Sequence, residues 1–219
     1  MLAFLLQKHS TDLQKPGIRI LELGSGSGWL GLNMAVKLPL AAFVLSDHPD
    51  ALPSLRQQVQ RVSASFPSLS DRVSTAQFEW GSDAAPAGAF DFVIGADLIY
   101  SVATLSLLPP IVRGLLTRGG VVALLQHTPG RKKEVDAGLD GRFLASGLVL
   151  EDVSASWQHD EACGGAVEDD QGTNEVVVHM PWLQDGGLFA SEDEHARQSR
   201  PPLYRIYHIK CDGDANGLC

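Results

Sequence analysis

Two carboxylates and one run of glycines are the residues of this sequence best suited to chemistry. The run is Glu22-Leu23-Gly24-Ser25-Gly26-Ser27-Gly28. Glycines at this spacing let backbone come close to a ligand, because no Cβ stands in the way. Where such a run opens a helix, the free N–H groups of the first turn favour polar groups, so the device suits a nucleoside or nucleotide. Asp47 follows about 20 residues later, where a carboxylate can accept hydrogen bonds from both hydroxyls of a ribose. The second carboxylate is Asp97, in Gly95-Ala96-Asp97-Leu98-Ile99-Tyr100. Tyr100 stands three residues further on, so a carboxylate and a phenol close the same short segment. Trp80, in Phe78-Glu79-Trp80-Gly81, offers an aromatic face to a base or to a core.

Positioning these groups requires a sheet that brings strand ends together. Apolar runs of strand length alternate with amphipathic segments of helix length. That is the pattern of an α/β, doubly wound, mostly parallel seven-stranded sheet with helices on both faces. The spacing predicts strands at Ile18–Leu23, Ala42–Leu45, Arg72–Phe78, Phe90–Gly95, Val121–Gln126 and Leu148–Val153. Leu203–Ile209 alternates apolar and polar residues and is expected to be an edge strand. Helices are expected from Trp29 to Leu38, over Pro53–Val62, over Val102–Leu116 in two pieces broken at Pro109 and Pro110, and over Glu134–Ala145. The opening residues are expected to run through Lys8 and His9 into the first strand. Gly119 and Gly120 are expected to turn the chain.

Two registers compete in the glycine loop. Glu22 to Gly28 spells ExGxGxG, as in methyltransferases, whereas Gly26-Ser27-Gly28-Trp29-Leu30-Gly31 spells the GxGxxG of dinucleotide enzymes. In the dinucleotide fingerprint the first glycine follows the strand directly. That glycine is Gly24, and counting from it puts Trp29 where the last glycine belongs. Gly31 then reads as a helix position packing closely on the sheet. An NAD-dependent oxidoreductase stays the more distant alternative.

Trp80-Gly81 after strand three, Asp97-x-x-Tyr100 after strand four and Arg118-Gly119-Gly120 before strand five add to the loop and Asp47. Together they make the chain resemble the class I, seven-strand S-adenosylmethionine-dependent protein-lysine methyltransferases, methyltransferase family 16. The resemblance covers Ile18 to about Val153 and resumes at Leu203–Ile209. It implies a Rossmann-like sheet with an antiparallel last strand and S-adenosylmethionine as cofactor. It also implies that Gly24, Ser25 and Gly26 face the methionine portion, Asp47 the ribose, Trp80 the adenine and Ala96 the cofactor at the end of strand four. Gly28 completes the loop, and Glu22 organises its backbone amides. Asp97 and Tyr100 act on the acceptor, Asp97 by positioning it. Each residue has a structural alternative: Trp80 as core aromatic, Asp47 as a cap of the His48-Pro49 turn, Asp97 as a cap of the next helix with Tyr100 in the core.

The sequence departs from the family pattern in two places. No residue before Ile18 is Trp, where family members carry a Trp-bearing segment that covers the cofactor. This favours a second reading, a methyltransferase fold serving as an interaction module. The other departure is an acidic stretch over residues 157–200 between strands six and seven. From Trp157 to Ala196 it holds Asp and Glu but no Lys or Arg.

The formal charge of −9 argues against nucleic acid as partner, since phosphate neutralisation needs clustered basic residues. The acidic excess sits in the 157–200 stretch, which reads either as a solvated loop or as a surface that attracts a basic protein substrate. Three cysteines without a CxxC pair fit a reducing compartment, so the chain is expected in the cytoplasm or nucleus. It is read as one domain over 1–219 and as a monomer. No apolar stretch has the length of a membrane span. His159, Asp160, Glu161, Cys163 and His179 match no zinc spacing, and no metal is expected. His127, after strand five, reads as structural.

Overall fold

The computed structural model describes residues 2–81, 85–127, 133–153 and 204–211. Its helices are α1 (Leu2–Leu13), α2 (Trp29–Lys37), α3 (Leu52–Ser65), α4 (Val102–Leu115) and α5 (Lys133–Ala145). Its strands are β1 (Arg19–Leu23), β2 (Ala42–Asp47), β3 (Val73–Gln77), β4 (Phe90–Ala96), β5 (Leu116–His127), β6 (Leu148–Asp152) and β7 (Tyr204–Cys211). They form one seven-stranded sheet in the order β3-β2-β1-β4-β5-β7-β6. The first five strands pair in parallel, and β7 runs antiparallel between β5 and β6.

Alternate residues of each strand feed two cores. Ile20, Phe43, Phe92 and Ile94 pack with Leu5, Leu13, Met34 and Leu55 of α1, α2 and α3. Leu21, Val93, Val122 and Leu124 pack with Leu105, Leu108, Val112 and Phe143 of α4 and α5. Helices on both faces explain why β1 and β4 read as unbroken apolar runs. Chain order reverses between β1 and β4, where Leu23 pairs with Gly95. The loops that leave these two strands therefore open side by side, at the switch point where ligands of open α/β sheets bind.

Four expectations are corrected. Residues 2–13 form a helix kinked at His9 (φ −130°) and anchored by buried Leu5 and Leu13, not a lead into a strand. α4 runs unbroken through Pro109 and Pro110. A proline inside a helix costs about 3 kcal/mol, but Leu105, Leu108, Val112 and Leu115 are all buried on this helix, and each such side chain stabilises by about 1.5–3 kcal/mol. Tertiary burial outweighs the local cost.

The third correction concerns β7, which is interior. Tyr207, His208 and Ile209 are buried, while β6 forms the edge. Alternation reports that two faces differ, not how many neighbours the strand has. Finally, Gly119 and Gly120 lie within β5. Phe90 pairs with Leu116 but Phe92 with Val121, and Gly119 (φ 79°) helps absorb the extra residues as a bulge. The acidic stretch and the five residues weighed as metal ligands lie outside the described residues, as does the side chain of His127.

Candidate active site

β1 delivers the glycine loop. Gly24, Gly26 and Gly28 all have left-handed backbone, at φ 57°, 54° and 73°, a conformation that costs other residues about 1–2 kcal/mol. A Cβ on Gly26 would meet nothing within 4 Å, so the turn itself demands glycine there. A Cβ on Gly24 would come within 2.7 Å of Leu98 Cδ2, which ties the glycine loop to the loop after β4. Gly31 sits in α2, and a Cβ there would lie 2.6 Å from Glu22 Oε2. It is a packing glycine, so the ExGxGxG register is the one the backbone follows.

Glu22 lies beneath the loop, 3% exposed. Its Oε2 accepts the N–H of Gly31 in the first turn of α2 at 3.2 Å, where the helix dipole favours a carboxylate. Burial pushes its carboxyl up to about 7, opposed by hydrogen bonding from Ser25 and from the Gly31 amide, and aided by the nearby charge of Asp47. Glu22 does not reach the cleft. Its carboxylate ties β1 to the first turn of α2, whereas the loop amides of Ser25, Gly26 and Gly28 go to other acceptors, Ser46 O, Asp47 Oδ2 and Ser25 O.

Asp47, the last residue of β2, accepts the Gly26 N–H at 2.6 Å through Oδ2 and the His48 N–H at 2.7 Å through Oδ1. The capping role and the loop contact coexist. Both bonds fix the carboxylate, and each oxygen keeps a second lone pair for a hydroxyl donor.

β4 delivers the other wall. Asp97 is the one non-glycine with positive φ among the described residues, at 55°. Its N–H donates to the Leu125 carbonyl at 2.8 Å, extending the β4–β5 ladder by one residue. The turn buries Leu98 and Ile99 and leaves Tyr100 71% exposed. Ser101, not Asp97, caps α4, in a reciprocal box with Thr104. The alternatives of Asp97 as helix cap and Tyr100 in the core are thereby removed.

These walls enclose a cleft of about 450 Å³. Gly24, Asp47, Trp80, Ala96, Asp97 and Tyr100 all line it. The other loop residues do not line it: Ser25 is buried in the loop, Gly26 gives its N–H to Asp47, and Gly28 is buried against Leu55, Leu32 and Leu45. Trp80 lines the cleft and also packs against the second core. The cleft also takes in His48, Phe78, Glu79, Leu98, Thr104 and Leu107, to which sequence reasoning gave no role. Adjacency to Asp47 and Trp80 was the available signal for His48 and Glu79, whose side chains lie 3.9 Å apart. Among the described residues no group of three or more His, Cys, Asp or Glu could hold a metal, and no helix is long and apolar enough to cross a membrane.

A mostly parallel sheet with an antiparallel β7, a glycine loop after β1, a carboxylate closing β2 and an opening at the β1–β4 switch point define a Rossmann-like class I methyltransferase fold. The sequence profile of the lysine methyltransferase family matches residues 1–136. The chain belongs to that family. Protein N-lysine methyltransferase METTL21A of Danio rerio is 31% identical over 138 residues, covering 57% of this chain and 55% of that protein. The protein of that name from Xenopus tropicalis is 33% identical over 100 residues, covering 46% and 44%. UPF0665 family protein C23C4.06c of Schizosaccharomyces pombe is 25% identical over 112 residues, covering 50% of this chain and 33% of that protein. The chain thus spans about a third to about half the length of these relatives.

Among solved structures, a methyltransferase from Pyrococcus furiosus superposes with a TM-score of 0.56 at 15% identity, over 97% of this chain and 81% of that one. A TehB-like SAM-dependent methyltransferase from Corynebacterium glutamicum gives 0.51 at 18%, over 68% and 73%. Both likenesses are of fold. The cofactor of the family is S-adenosylmethionine, and the residues present fit it: the fixed Asp47 carboxylate, the Trp80 indole and the Gly24 backbone line one cleft of about 450 Å³.

Proposed function

We propose that this chain is an S-adenosylmethionine-dependent methyltransferase that modifies a lysine side chain of a protein. One observation carries the reading. Gly24 and Asp47 from one half of the sheet, and Asp97 and Tyr100 from the other, line the same cleft. In this reading Asp47 holds the ribose hydroxyls, Trp80 packs on the adenine, and Ala96 leaves room at the end of β4. The bound cofactor supplies an activated methyl on a sulfonium. What the protein must add is alignment of a neutral nucleophile, for which no triad or metal is needed.

A lysine amine must first shed its proton, which costs about 4 kcal/mol at neutral pH from a reference pKa near 10.4. A desolvating wall lowers that cost, and Tyr100 at the cleft mouth supplies one. Asp97 positions the amine. As a base it would work against itself, because a nearby carboxylate favours the ammonium form. Family membership and the two METTL21A relatives support lysine on a protein as the acceptor.

The test is calorimetric titration with S-adenosylmethionine, S-adenosylhomocysteine and NAD. Mass spectrometry then looks for methyl-lysine in heat-treated lysate protein incubated with the enzyme and cofactor. The expected result is binding of the first two ligands and new methyl-lysine. Binding of NAD alone would restore the oxidoreductase, and cofactor binding without any methylation would restore the interaction module.

A further inference from the structure

We propose that Gln126, near the end of β5, is a positioning residue for methyl transfer. It holds the Asp97–Tyr100 turn, and so the acceptor side of the cleft, in its working geometry. This rests on the functional reading above. Gln126 is 4% exposed, and a buried carboxamide persists where both of its ends are partnered. Its Oε1 accepts the Ile99 N–H at 3.0 Å, and its Nε2 donates to Asp97 Oδ1 at 3.5 Å. One side chain thereby grips the turn by its backbone and by its functional carboxylate.

The turn needs such a grip. Asp97 holds left-handed backbone at φ 55°, which Asp adopts more readily than most side chains but which a working geometry still has to fix from outside. The ladder bond from Asp97 N–H to Leu125 O fixes the entry to the turn, and the bond from Ile99 to Gln126 fixes its far side. Tyr100, the next residue, emerges at the cleft mouth with 71% exposure. Its placement is therefore set by the amide of Ile99 rather than by its own burial. An apolar residue at position 126 would fill space, but it would orient neither Ile99 nor Asp97.

Two substitutions separate positioning from mere packing. Gln126→Leu removes both bonds. Gln126→Glu keeps an acceptor for Ile99 but loses the donor and sets a negative oxygen against Asp97. Three quantities are measured on the full chain and both variants. They are S-adenosylhomocysteine affinity by calorimetry, tritium transfer from labelled S-adenosylmethionine into heat-treated lysate protein at saturating cofactor, and hydrogen exchange of the Ile99 amide. Thermal midpoints verify folding.

Gln126→Leu is expected to lose about 100-fold in transfer, the size of effect that small misplacement produces, and to exchange Ile99 about tenfold faster. Gln126→Glu is expected to lose transfer while the Ile99 amide stays protected. Both should bind S-adenosylhomocysteine within about threefold of the parent, since the lost interactions act on the acceptor side. Transfer at the parental rate in either variant overturns the proposal, as does loss of cofactor affinity in step with transfer. A parent chain that binds no S-adenosylhomocysteine would instead remove the functional reading itself, leaving the Ile99 exchange result to stand alone.

Discussion

Replacing Glu22 by Gln should flatten the pH dependence of stability, and the sign can be worked out from the burial of its carboxyl. The folded-state value is about 7, against 4.5 for the free side chain. Between those values the native protein keeps a proton that the unfolded chain has lost. Stability is therefore highest below about pH 4.5 and declines as pH rises through about 7. The full decline is about 3 kcal/mol, at 1.36 kcal/mol per unit. The introduced carboxamide has the same shape, can still accept the Gly31 N–H and carries no charge at any pH. Near pH 4 the two proteins should unfold alike; at pH 8 the variant should be more stable by up to about 3 kcal/mol. For a chain of this size 1 kcal/mol is about 2–4 °C in the midpoint, so the gap should reach several degrees. Thermal unfolding of both proteins at a series of pH values measures it, and other titrating groups cancel in the difference. Parallel pH profiles for the two proteins would refute the assignment of a raised, buried carboxyl to Glu22.

Asp47→Ala should weaken S-adenosylhomocysteine by about 1.5–3 kcal/mol, the range for hydrogen bonds to a charged partner; calorimetry showing unchanged affinity would remove the ribose role. Tyr100→Ala and Asp97→Ala should abolish methyl transfer with cofactor affinity kept within a few fold, whereas Asp97→Asn, which keeps an acceptor oxygen and tolerates left-handed backbone, should retain transfer within about tenfold. An Asn variant as inactive as the Ala variant would point to a base instead of a positioning group. Gly31→Ala should destabilise by about 1–3 kcal/mol through overpacking, because its Cβ would press on Glu22 and Leu45; an unchanged thermal midpoint would contradict the close packing of α2 on the sheet. Deleting Glu161 to Glu194 should slow methylation of a basic protein at low salt and leave the rate nearly unchanged once screening is strong; equal rates at both salts would leave the acidic stretch without a steering role.

The sequence by itself determined whatever is local. The β1 and β4 runs, the left-handed demands of Gly24, Gly26 and Gly28, the carboxylate closing β2 and the Asp97-x-x-Tyr100 turn are each written in a few adjacent residues, because strand alternation and glycine backbone act over that range. Six of the residues singled out from sequence meet in one cleft, since the switch point follows from strand order once the sheet is parallel. Tertiary structure decided what depends on distant neighbours. Alternation in Leu203–Ile209 could not tell an edge from an interior strand, and β7 sits between β5 and β6 because its partners come from elsewhere in the chain. Pro109 and Pro110 signalled a break that the buried face of α4 overrides. Glu22 carries no sign of its raised carboxyl until α2 and the loop close over it. Gln126 reads as one more residue at the end of an apolar strand, and it becomes a clamp only when Ile99 and Asp97 are folded against it, 27 and 29 residues away along the chain.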